Sequence, residues 1–360
     1  MMQKKVLIVG ASGLVGTGAA NSFARAGWQV IAASRRRPDL LTHENVEFLA
    51  LDLQDADACA VACRHLKGVT HVVYTAVYEL PGLVNGWTDP HQIETNGQML
   101  RNLLLALENS SHLEHVTLLQ GTKAYGAMVG PMRVPARESQ PRVDHPNFYW
   151  LQEDLLRSHA AQRNYGFTIL RPQMIVGPNH GVVMNLPPVI GVYAALRRAE
   201  GLPLAFPGGV ERALEAVDVR LVGDACLWAA TTECAQGETY NLTNGEVFSW
   251  RDMWPAIADT LGLSVGADEP LSVAQYFTQR EELWLRIVAE HNLVPNSLKQ
   301  IVGESHHYAD LCFAHGTSNA PPPIFVSTVK IHQAGFTQTY NSEESFCYWL
   351  RDLRSRRIIP

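Results

Sequence analysis

The sequence predicts an α/β protein: a doubly wound parallel sheet followed by a smaller, mostly helical C-terminal region. One observation is that short, continuous apolar runs alternate with helical segments from residue 6 to residue 170. Such runs are typical of parallel strands that are buried on both faces and joined by crossover helices. A second observation is that the first run, 6–9, ends in a glycine-rich turn that leads directly into a helix. That arrangement is typical of a Rossmann sheet.

The elements of the sheet follow one another in regular order. Apolar runs predict strands at 6–9, 29–33, 46–49, 71–75, 116–119 and 168–170. Helical periodicity predicts helices at 14–26, 56–66, 92–108 and 152–165. After Arg171-Pro172 the alternation stops and proline and glycine become dense. One more helix, 218–230, and one more strand, 238–242, then complete the sheet.

This change in composition predicts the domain boundaries. Residues 1–172 and 212–246 are expected to form the Rossmann domain. Residues 173–211 and 247–360 are expected to form a cap region that binds the substrate, because 248–305 is helical and rich in tryptophan. Residues 342–354 predict a closing amphipathic helix.

Composition and charge exclude several classes of function. Hydrophobic residues make up 46% of the chain and charged residues 18%, so a globular core is expected rather than disorder. A net charge of −6 provides no field that would attract nucleic acid or an anionic membrane. The six cysteines are scattered, and the histidines and the cysteine within 306–315 lack the spacing of a zinc site. We therefore expect a cytoplasmic protein that binds no metal, no nucleic acid and no membrane.

Residues 10–16 read Gly-Ala-Ser-Gly-Leu-Val-Gly, a G-x-x-G-x-x-G turn between the first strand and the first helix. Glycine allows the tight turn and lets the backbone approach a pyrophosphate, which then meets the positive end of the helix. An ordinary strand–helix turn is the alternative, and the position after the first strand argues against it. The residues assigned here to cofactor binding are Gly10, Ser12, Gly13, Leu14, Val15 and Gly16.

The end of the second strand indicates which nicotinamide dinucleotide is bound. An NAD enzyme has a carboxylate there for the ribose 2′-hydroxyl, whereas this chain has Ser34-Arg35-Arg36-Arg37 and no acid. Guanidinium groups form charged, bidentate bonds to a phosphate, so NADPH is the predicted cofactor. Asp52 is placed to accept a hydrogen bond from the adenine amino group, although a loop-capping aspartate has the same pattern. Leu53 is assigned to the same site.

The catalytic candidates are Tyr149 and Lys123. Most short-chain reductases use Tyr-x-x-x-Lys on the helix after the fifth strand, where the lysine lowers the pKa of the tyrosine. In this chain Glu153 follows Tyr149 at that spacing, and a carboxylate would raise the pKa of the tyrosine instead. A lysine does occur at Lys123, directly after the fifth strand. A packing tyrosine and a surface lysine are the alternative interpretations.

Taken together, these motifs resemble the PRISE family, the progesterone 5β-reductase and iridoid synthase-like group of atypical short-chain reductases. The matching segments are the Ser-Arg-Arg turn at 34–36, Gly-Thr-Lys-x-Tyr at 121–125, the segments 147–154 and 241–250, and the C-terminal 358–360. The resemblance implies that Lys123 and Tyr149 are the catalytic pair and that NADPH is the donor. One departure is Val77, which stands where many plant members carry a tryptophan.

The implied chemistry is 1,4-reduction of a C=C bond conjugated to a carbonyl, in a small apolar enone or enal. Hydride addition drives negative charge onto the carbonyl oxygen, where Tyr149 and Lys123 would stabilise it. Glu153 has no proton or charge to carry in this mechanism. Assembly as a homodimer is left open.

Two other functions are compatible with a nicotinamide-binding Rossmann domain. One is an NADP-dependent carbonyl reductase or epimerase-like extended short-chain enzyme, which Glu153 argues against because it replaces the usual lysine. The other is a non-catalytic NADP-sensing protein, for which neither Lys123 nor Tyr149 would be needed. The product of the reaction, or its absence, separates these alternatives.

Overall fold

The computed structural model describes residues 4–80, 85–108 and 110–360. Within these ranges the strands are β1 (Lys5–Val9), β2 (Gln29–Ser34), β3 (Val46–Ala50), β4 (His71–Tyr74), β5 (His115–Leu119), β6 (Gly166–Pro172), β7 (Ile175–Val176), β8 (Ala213–Glu215), β9 (Val217–Asp218), β10 (Glu238–Leu242) and β11 (Val247–Ser249). The helices are α1 (Leu14–Arg25), α2 (Ala56–Cys63), α3 (Pro90–Leu107), α4 (Phe148–Arg163), α5 (Leu186–Ala199), α6 (Val219–Thr231), α7 (Trp250–Thr260), α8 (Val273–Thr278), α9 (Glu281–Glu290), α10 (Leu298–Val302), α11 (Ser305–Cys312), α12 (Val329–Gln333) and α13 (Ser342–Ser355). Short 3-10 turns cover Asn85–Thr88, Thr122–Tyr125 and Glu233–Ala235.

The chain divides into two compact units. The first runs to Gln173 and also includes Val219–Leu242 and Val326–Gln338. The second consists of Met174–Asp218, Thr243–Phe325 and Thr339–Pro360. Which unit binds which ligand remains a prediction.

The first unit contains a seven-stranded sheet in the order β10-β6-β5-β4-β1-β2-β3. Every neighbouring pair in it is parallel. The order reverses at β1, which pairs with β2 on one side and with β4 on the other. The doubly wound α/β fold predicted from the sequence is therefore confirmed. In such sheets, ligands bind beyond the carboxyl ends of the strands at this reversal.

Helix α4 begins at Phe148, earlier than the start at residue 152 predicted from the sequence. Asn147 caps it, because the Asn147 side chain accepts a hydrogen bond from the Tyr149 N–H at 3.0 Å. An asparagine at this position satisfies a backbone donor that the helix itself leaves unpaired. The earlier start places Tyr149 in the first helical turn.

The second unit is mostly helical, and the tryptophans predicted for this region form its core. The indole N–H groups of Trp250, Trp254 and Trp284 each donate to a backbone carbonyl, at 3.1, 3.1 and 2.9 Å. The sequence does not predict helix α5, because the dense prolines and glycines after Pro172, among them Pro187 and Pro188, indicate only a change of architecture. Both prolines lie in the first turn of α5, where the missing N–H groups would have no partner in the helix.

None of the helices in the described part of the chain is long and apolar enough to cross a membrane. Among the same residues, no group of three or more His, Cys, Asp or Glu side chains could hold a metal ion. His306, His307 and Cys312 lie on α11, and His315 follows that helix.

Candidate active site

The glycine turn forms a cradle between β1 and α1 that side chains would fill. Gly10 has a φ of +86°, and a Cβ atom there would lie 2.7 Å from Thr75 Oγ1 and 2.8 Å from the Ala76 nitrogen. A Cβ atom on Gly16 would lie 2.2 Å from the Gly10 carbonyl oxygen. Glycine is therefore required at both ends of the turn, for conformation at one and for close approach at the other.

Helix α1 starts at Leu14, and no side chain caps its first turn. The backbone N–H groups at this end are the donors that a pyrophosphate accepts from in dinucleotide sites. Ser12 and Val15 are partly exposed around the turn, whereas Leu14 is buried. The geometry of the turn therefore fits a nicotinamide dinucleotide.

The basic segment after β2 lies on the surface. Ser34 is buried, and its hydroxyl donates to the Arg36 carbonyl at 2.6 Å, which shapes the turn. Arg35, Arg36 and Arg37 are all exposed. The Arg37 guanidinium lies 5.4 Å from the ring centroid of Phe48 on β3. The three charges are thus presented to solvent at the carboxyl end of β2.

The predicted adenine residues follow β3. The Asp52 side chain is exposed, and its Oδ1 accepts a hydrogen bond from the Gln54 N–H at 3.0 Å. This is the loop-capping contact that was the alternative interpretation of Asp52. Leu53 is buried, and its carbonyl accepts from the Asn102 side chain at 2.8 Å. Their contact with adenine stays a prediction.

Asn147 joins the two segments that carry the catalytic candidates. While its Oδ1 accepts from the Tyr149 N–H, its Nδ2 donates to the Lys123 carbonyl at 3.3 Å. Lys123 itself lies in the 3-10 turn that follows β5. The adjacent Tyr125 is a structural residue, because its hydroxyl donates to Asn241 Oδ1 at 2.6 Å. Two of the motifs noted in the sequence, 121–125 and 241–250, therefore meet at this bond.

Lys123 and Tyr149 both contact the indole ring of Trp87. The Lys123 Nζ atom lies 3.2 Å from the Trp87 ring centroid. The Tyr149 ring meets the same indole edge-to-face, with centroids 5.6 Å apart and an interplanar angle of 75°. The Tyr149 hydroxyl also lies beside Gly121, where a Cβ atom would be 3.4 Å from it. The structure thus brings the two predicted catalytic residues together around one buried ring.

The surroundings of this ring perturb three titratable groups. Burial lowers the pKa of Lys123 to about 8, and the charge of Glu79 opposes that shift. Burial raises the pKa of Tyr149; the Glu79 charge raises it further and the Arg171 charge lowers it. Burial also raises the pKa of Glu79, against the opposing effects of Lys123 and Trp87. Tyr149 is therefore a neutral hydroxyl donor at physiological pH.

Glu153 is the counter-ion of a buried arginine. Its Oε2 lies 3.5 Å from Arg171 Nη2 and accepts from Gln120 Nε2 at 3.2 Å. Its Oε1 pairs with Arg142 at 3.3 Å and with Arg157 at 3.0 Å. Burial alone would raise the pKa of Glu153, but the three guanidinium groups hold it below the usual value.

This arrangement gives the Glu153 carboxylate a structural role, and the expectation that it carries no proton or charge in the reaction stays a prediction. Gln120 links Glu153 to the tyrosine segment, since its Nε2 also approaches the Tyr149 carbonyl at 3.3 Å and its Oε1 accepts from Arg171 Nε at 2.8 Å. The structure corrects which acid raises the pKa of Tyr149. That acid is Glu79, not Glu153.

Three residues at this site were not predicted: Trp87, Glu79 and Arg171. Nothing in the local sequence distinguishes Trp87, which precedes the Asp89-Pro90 start of α3. Glu79 follows β4 closely, and a charged residue just beyond a central strand is a signal that could have found it. Arg171 is the last residue but one of the buried strand β6, and a buried arginine implies a buried partner.

Comparison with known proteins agrees with this architecture. The model of the NAD dependent epimerase/dehydratase family matches residues 6–243. The chain is 30% identical to an (S)-8-oxocitronellyl enol synthase of Catharanthus roseus, over 98% of this chain and 92% of that protein. It is also 30% identical to a 3-oxo-Delta(4,5)-steroid 5-beta-reductase of Arabidopsis thaliana, over 98% and 92% of the two chains.

Solved structures share the fold at lower identity. A UDP-glucose 4-epimerase of Thermotoga maritima with UDP-glucose superposes with a TM-score of 0.67 at 15% identity, covering 98% of this chain and 99% of that one. A UDP-glucose 4-epimerase of Thermus thermophilus in complex with NAD has a TM-score of 0.65 at 18% identity, covering 97% and 99%. At these identities the likeness concerns the fold alone.

The sheet, the glycine turn and the family match define an oxidoreductase of the extended short-chain dehydrogenase/reductase type, which uses a nicotinamide cofactor. Its similarity to the two plant enzymes extends over nearly the whole chain. The chain belongs to the PRISE family, as its motifs predicted.

Proposed function

We propose that this protein is an NADPH-dependent enone reductase, which reduces the C=C bond of an α,β-unsaturated carbonyl compound by 1,4-addition. A bound dihydronicotinamide would supply a hydride, which forms a C–H bond at the β-carbon of the substrate. The electron pair of the substrate C=C bond moves toward the carbonyl, so that negative charge develops on the carbonyl oxygen. A proton from solvent then completes the new C–H bond at the α-carbon.

The Tyr149 hydroxyl is the group we assign to the substrate oxygen. A neutral donor held at fixed geometry stabilises the developing charge more than it stabilises the neutral carbonyl. The Lys123 ammonium adds positive charge close to the same point. No residue is assigned the proton transfer to carbon, since solvent is sufficient for it.

The observation that carries the proposal is that Lys123 and Tyr149 both contact Trp87, whereas the Glu153 carboxylate forms ion pairs with arginines. This differs from a Tyr-x-x-x-Lys site, in which the lysine one helical turn after the tyrosine lowers the pKa of that tyrosine. A tyrosine of raised pKa is a poor base for alcohol oxidation and a suitable hydrogen-bond donor to an oxyanion. The name of the Arabidopsis relative, a 3-oxo-Delta(4,5)-steroid 5-beta-reductase, supports the same reaction class.

The preference for NADPH is supported by the residues after β2. Arg35, Arg36 and Arg37 are exposed at the carboxyl end of that strand, and the turn contains no acid. A carboxylate at this position would repel a 2′-phosphate, whereas guanidinium groups bind it.

A panel of enones and enals of graded size, assayed for NADPH consumption with product analysis, tests the proposal. We expect a saturated carbonyl product from at least the smaller members. An allylic alcohol as the main product would instead indicate a carbonyl reductase. Tight NADPH binding without any turnover across the panel would indicate a sensing protein.

A further inference from the structure

The position of Lys123 depends on Trp87 as well as on its own backbone. Its Nζ atom lies 3.2 Å from the indole centroid, over the ring face. The face of an indole carries the negative part of its quadrupole and attracts a cation, most strongly where water is excluded. The Trp87 side chain is only 6% exposed, so this contact is largely desolvated.

The Trp87 ring is itself held by the first turn of α4. It packs against Phe148 with centroids 4.9 Å apart and against Tyr149 with centroids 5.6 Å apart. Phe148 and Tyr149 in turn meet edge-to-face at 4.8 Å. The three rings therefore form one cluster, and the Lys123 ammonium group lies over the Trp87 ring of that cluster.

Glu79 is positioned by two buried amides of α3. Gln92 Oε1 accepts from the Leu80 N–H at 2.7 Å. Asn96 accepts from the Tyr78 N–H at 2.9 Å and donates to the Tyr78 carbonyl at 2.8 Å. The residues on both sides of Glu79 are thus fixed to α3, and its carboxylate oxygen Oε1 is buried.

We propose that Trp87 is a positioning residue for Lys123: the indole holds the ammonium group in place within a desolvated site, and the buried Glu79 carboxylate favours its charged form. This inference deepens the proposed function and rests on it. Neither residue needs to touch the substrate, because both act through Lys123.

The electrostatics around Lys123 agree with this role. Burial by itself favours the uncharged amine, and Glu79 favours the ammonium form. The titratable groups that face Lys123 are Glu79, from the loop after β4, and Tyr149, from α4; Arg171 on β6 acts on Tyr149. The pKa of Tyr149 lies well above its usual value. A loss of activity near pH 8 would therefore reflect deprotonation of the Lys123 ammonium group.

The pH profile of kcat at saturating NADPH tests the assignment. Glu79→Gln should move the alkaline limb to lower pH by roughly one unit, because a negative charge that favours the ammonium form is lost from a buried site. Trp87→Leu should move it in the same direction by about half a unit to one unit, and Trp87→Phe by less, because a phenyl ring restores part of the attraction. Matched controls are Glu47→Gln on β3 and Trp28→Phe, whose ring lies 5.2 Å from Lys4.

A spectroscopic titration tests the same contact without turnover. A charge over an indole shifts its near-ultraviolet bands, so the difference spectrum between wild type and Trp87→Phe should titrate near pH 8. Lys123→Met should abolish that titration, and Glu79→Gln should move it to lower pH. This signal is expected even if no enone is reduced, in which case the proposed function fails and the positioning of Lys123 stands.

An alkaline limb and a difference spectrum that are unchanged in folded Glu79→Gln and Trp87→Phe proteins would overturn the inference. Thermal melts establish folding for each variant. If Trp87→Leu does not fold, Trp87→Phe still decides the role of the ring, because it keeps an aromatic group in the cluster.

Discussion

Tyr149 and Lys123 reach the same indole ring from different elements, and each is assigned a separate part of the chemistry. Tyr149→Phe removes the oxyanion donor and keeps the ring and its packing. We expect kcat to fall about 10²–10³-fold, which is typical for loss of one such donor. Steady-state kinetics on a small enone would measure this, with Tyr165→Phe as the control because its hydroxyl bonds His159 in the last part of α4.

Lys123→Ala should lower kcat by a comparable factor, and both variants should still bind NADPH. If the two residues act as a unit, the double variant should be little worse than the poorer single one. Nearly wild-type turnover in a folded Tyr149→Phe enzyme would contradict the proposed mechanism.

A second prediction at the residue scale concerns the cofactor. Charged hydrogen bonds contribute about 1.5–3 kcal/mol each, so kcat/KM should favour NADPH over NADH by about tenfold to several hundredfold. Arg35→Ser and Arg36→Ser should each reduce this ratio, mainly by weakening NADPH. Arg64→Ser, an exposed arginine at the end of α2, is the matched control. Comparable kcat/KM values for the two cofactors in the wild type would refute the assignment.

A third prediction concerns Val77, which is 43% exposed just beyond β4. Val77→Trp should fill space at the carboxyl end of this central strand and penalise bulky enones more than small ones. The comparison is the ratio of kcat/KM for a large and a small substrate, with Val61→Trp on α2 as an exposed control. An equal effect on both substrates would show that Val77 is remote from the substrate.

At the scale of elements, an ion pair connects helix α4 to β6, and hydrogen bonds of Gln120 connect both to the end of β5. Gln120, Glu153 and Arg171 form a buried network beneath the first turns of α4. Removing one partner of a buried ion pair leaves the other charge without compensation in a medium of low dielectric constant. Stability, rather than proton transfer, is therefore the property that Glu153 should control.

We expect Glu153→Ala to lower the free energy of unfolding by about 3–5 kcal/mol, because it leaves the buried Arg171 charge without a partner carboxylate. The neighbouring Asp154→Ala should cost about 1 kcal/mol or less, since that side chain is 64% exposed and pairs only with Arg142 among the described contacts. Urea unfolding followed by circular dichroism measures both values. Equal, small losses in the two variants would show that the network contributes little.

The same elements show where sequence patterns are informative. Strand positions follow from apolar runs. The glycine turn is recognisable because no other residue fits there: a Cβ atom on Gly16 would lie 2.2 Å from a backbone oxygen. The start of α4 was missed because its first turn is aromatic, and packing against Trp87 rather than helical periodicity accounts for it. Helix α5 does not follow from the sequence pattern, because dense prolines and glycines indicate only a change of architecture, although the first turn of a helix accepts proline.

At the scale of the whole molecule, two buried histidines link stability to pH. His71 and His115 lie on adjacent strands, β4 and β5, with ring centroids 6.2 Å apart. His115 Nε2 bonds Thr168 Oγ1 at 3.0 Å. Burial, reinforced by the His71 charge, lowers the pKa of His115 to about 3.

A folded-state pKa below that of the unfolded chain means that stability is present above about pH 6.5 and is lost on acidification toward pH 3. In this window the unfolded state binds a proton that the folded state does not. One histidine shifted in this way should cost about 1.6 kcal/mol of stability between pH 6.5 and pH 5. Chemical denaturation at a series of pH values measures the slope.

His115→Gln keeps an amide donor for Thr168 and cannot titrate, so it should flatten that slope. His112→Gln, at an exposed histidine, is the matched control. An unchanged slope in His115→Gln would mean that other groups dominate the acid response.

The sequence by itself determined the fold, the glycine turn and the family, because each depends on local periodicity, backbone sterics or a short motif. Only the tertiary structure decided what surrounds Lys123 and what neutralises Glu153. Those contacts join distant segments: Gln120 and Glu153 are 33 positions apart, and Glu153 and Arg171 are 18 apart. The pKa values at the site depend on burial and on charges that the folded chain brings together, so no local pattern of residues could have specified them.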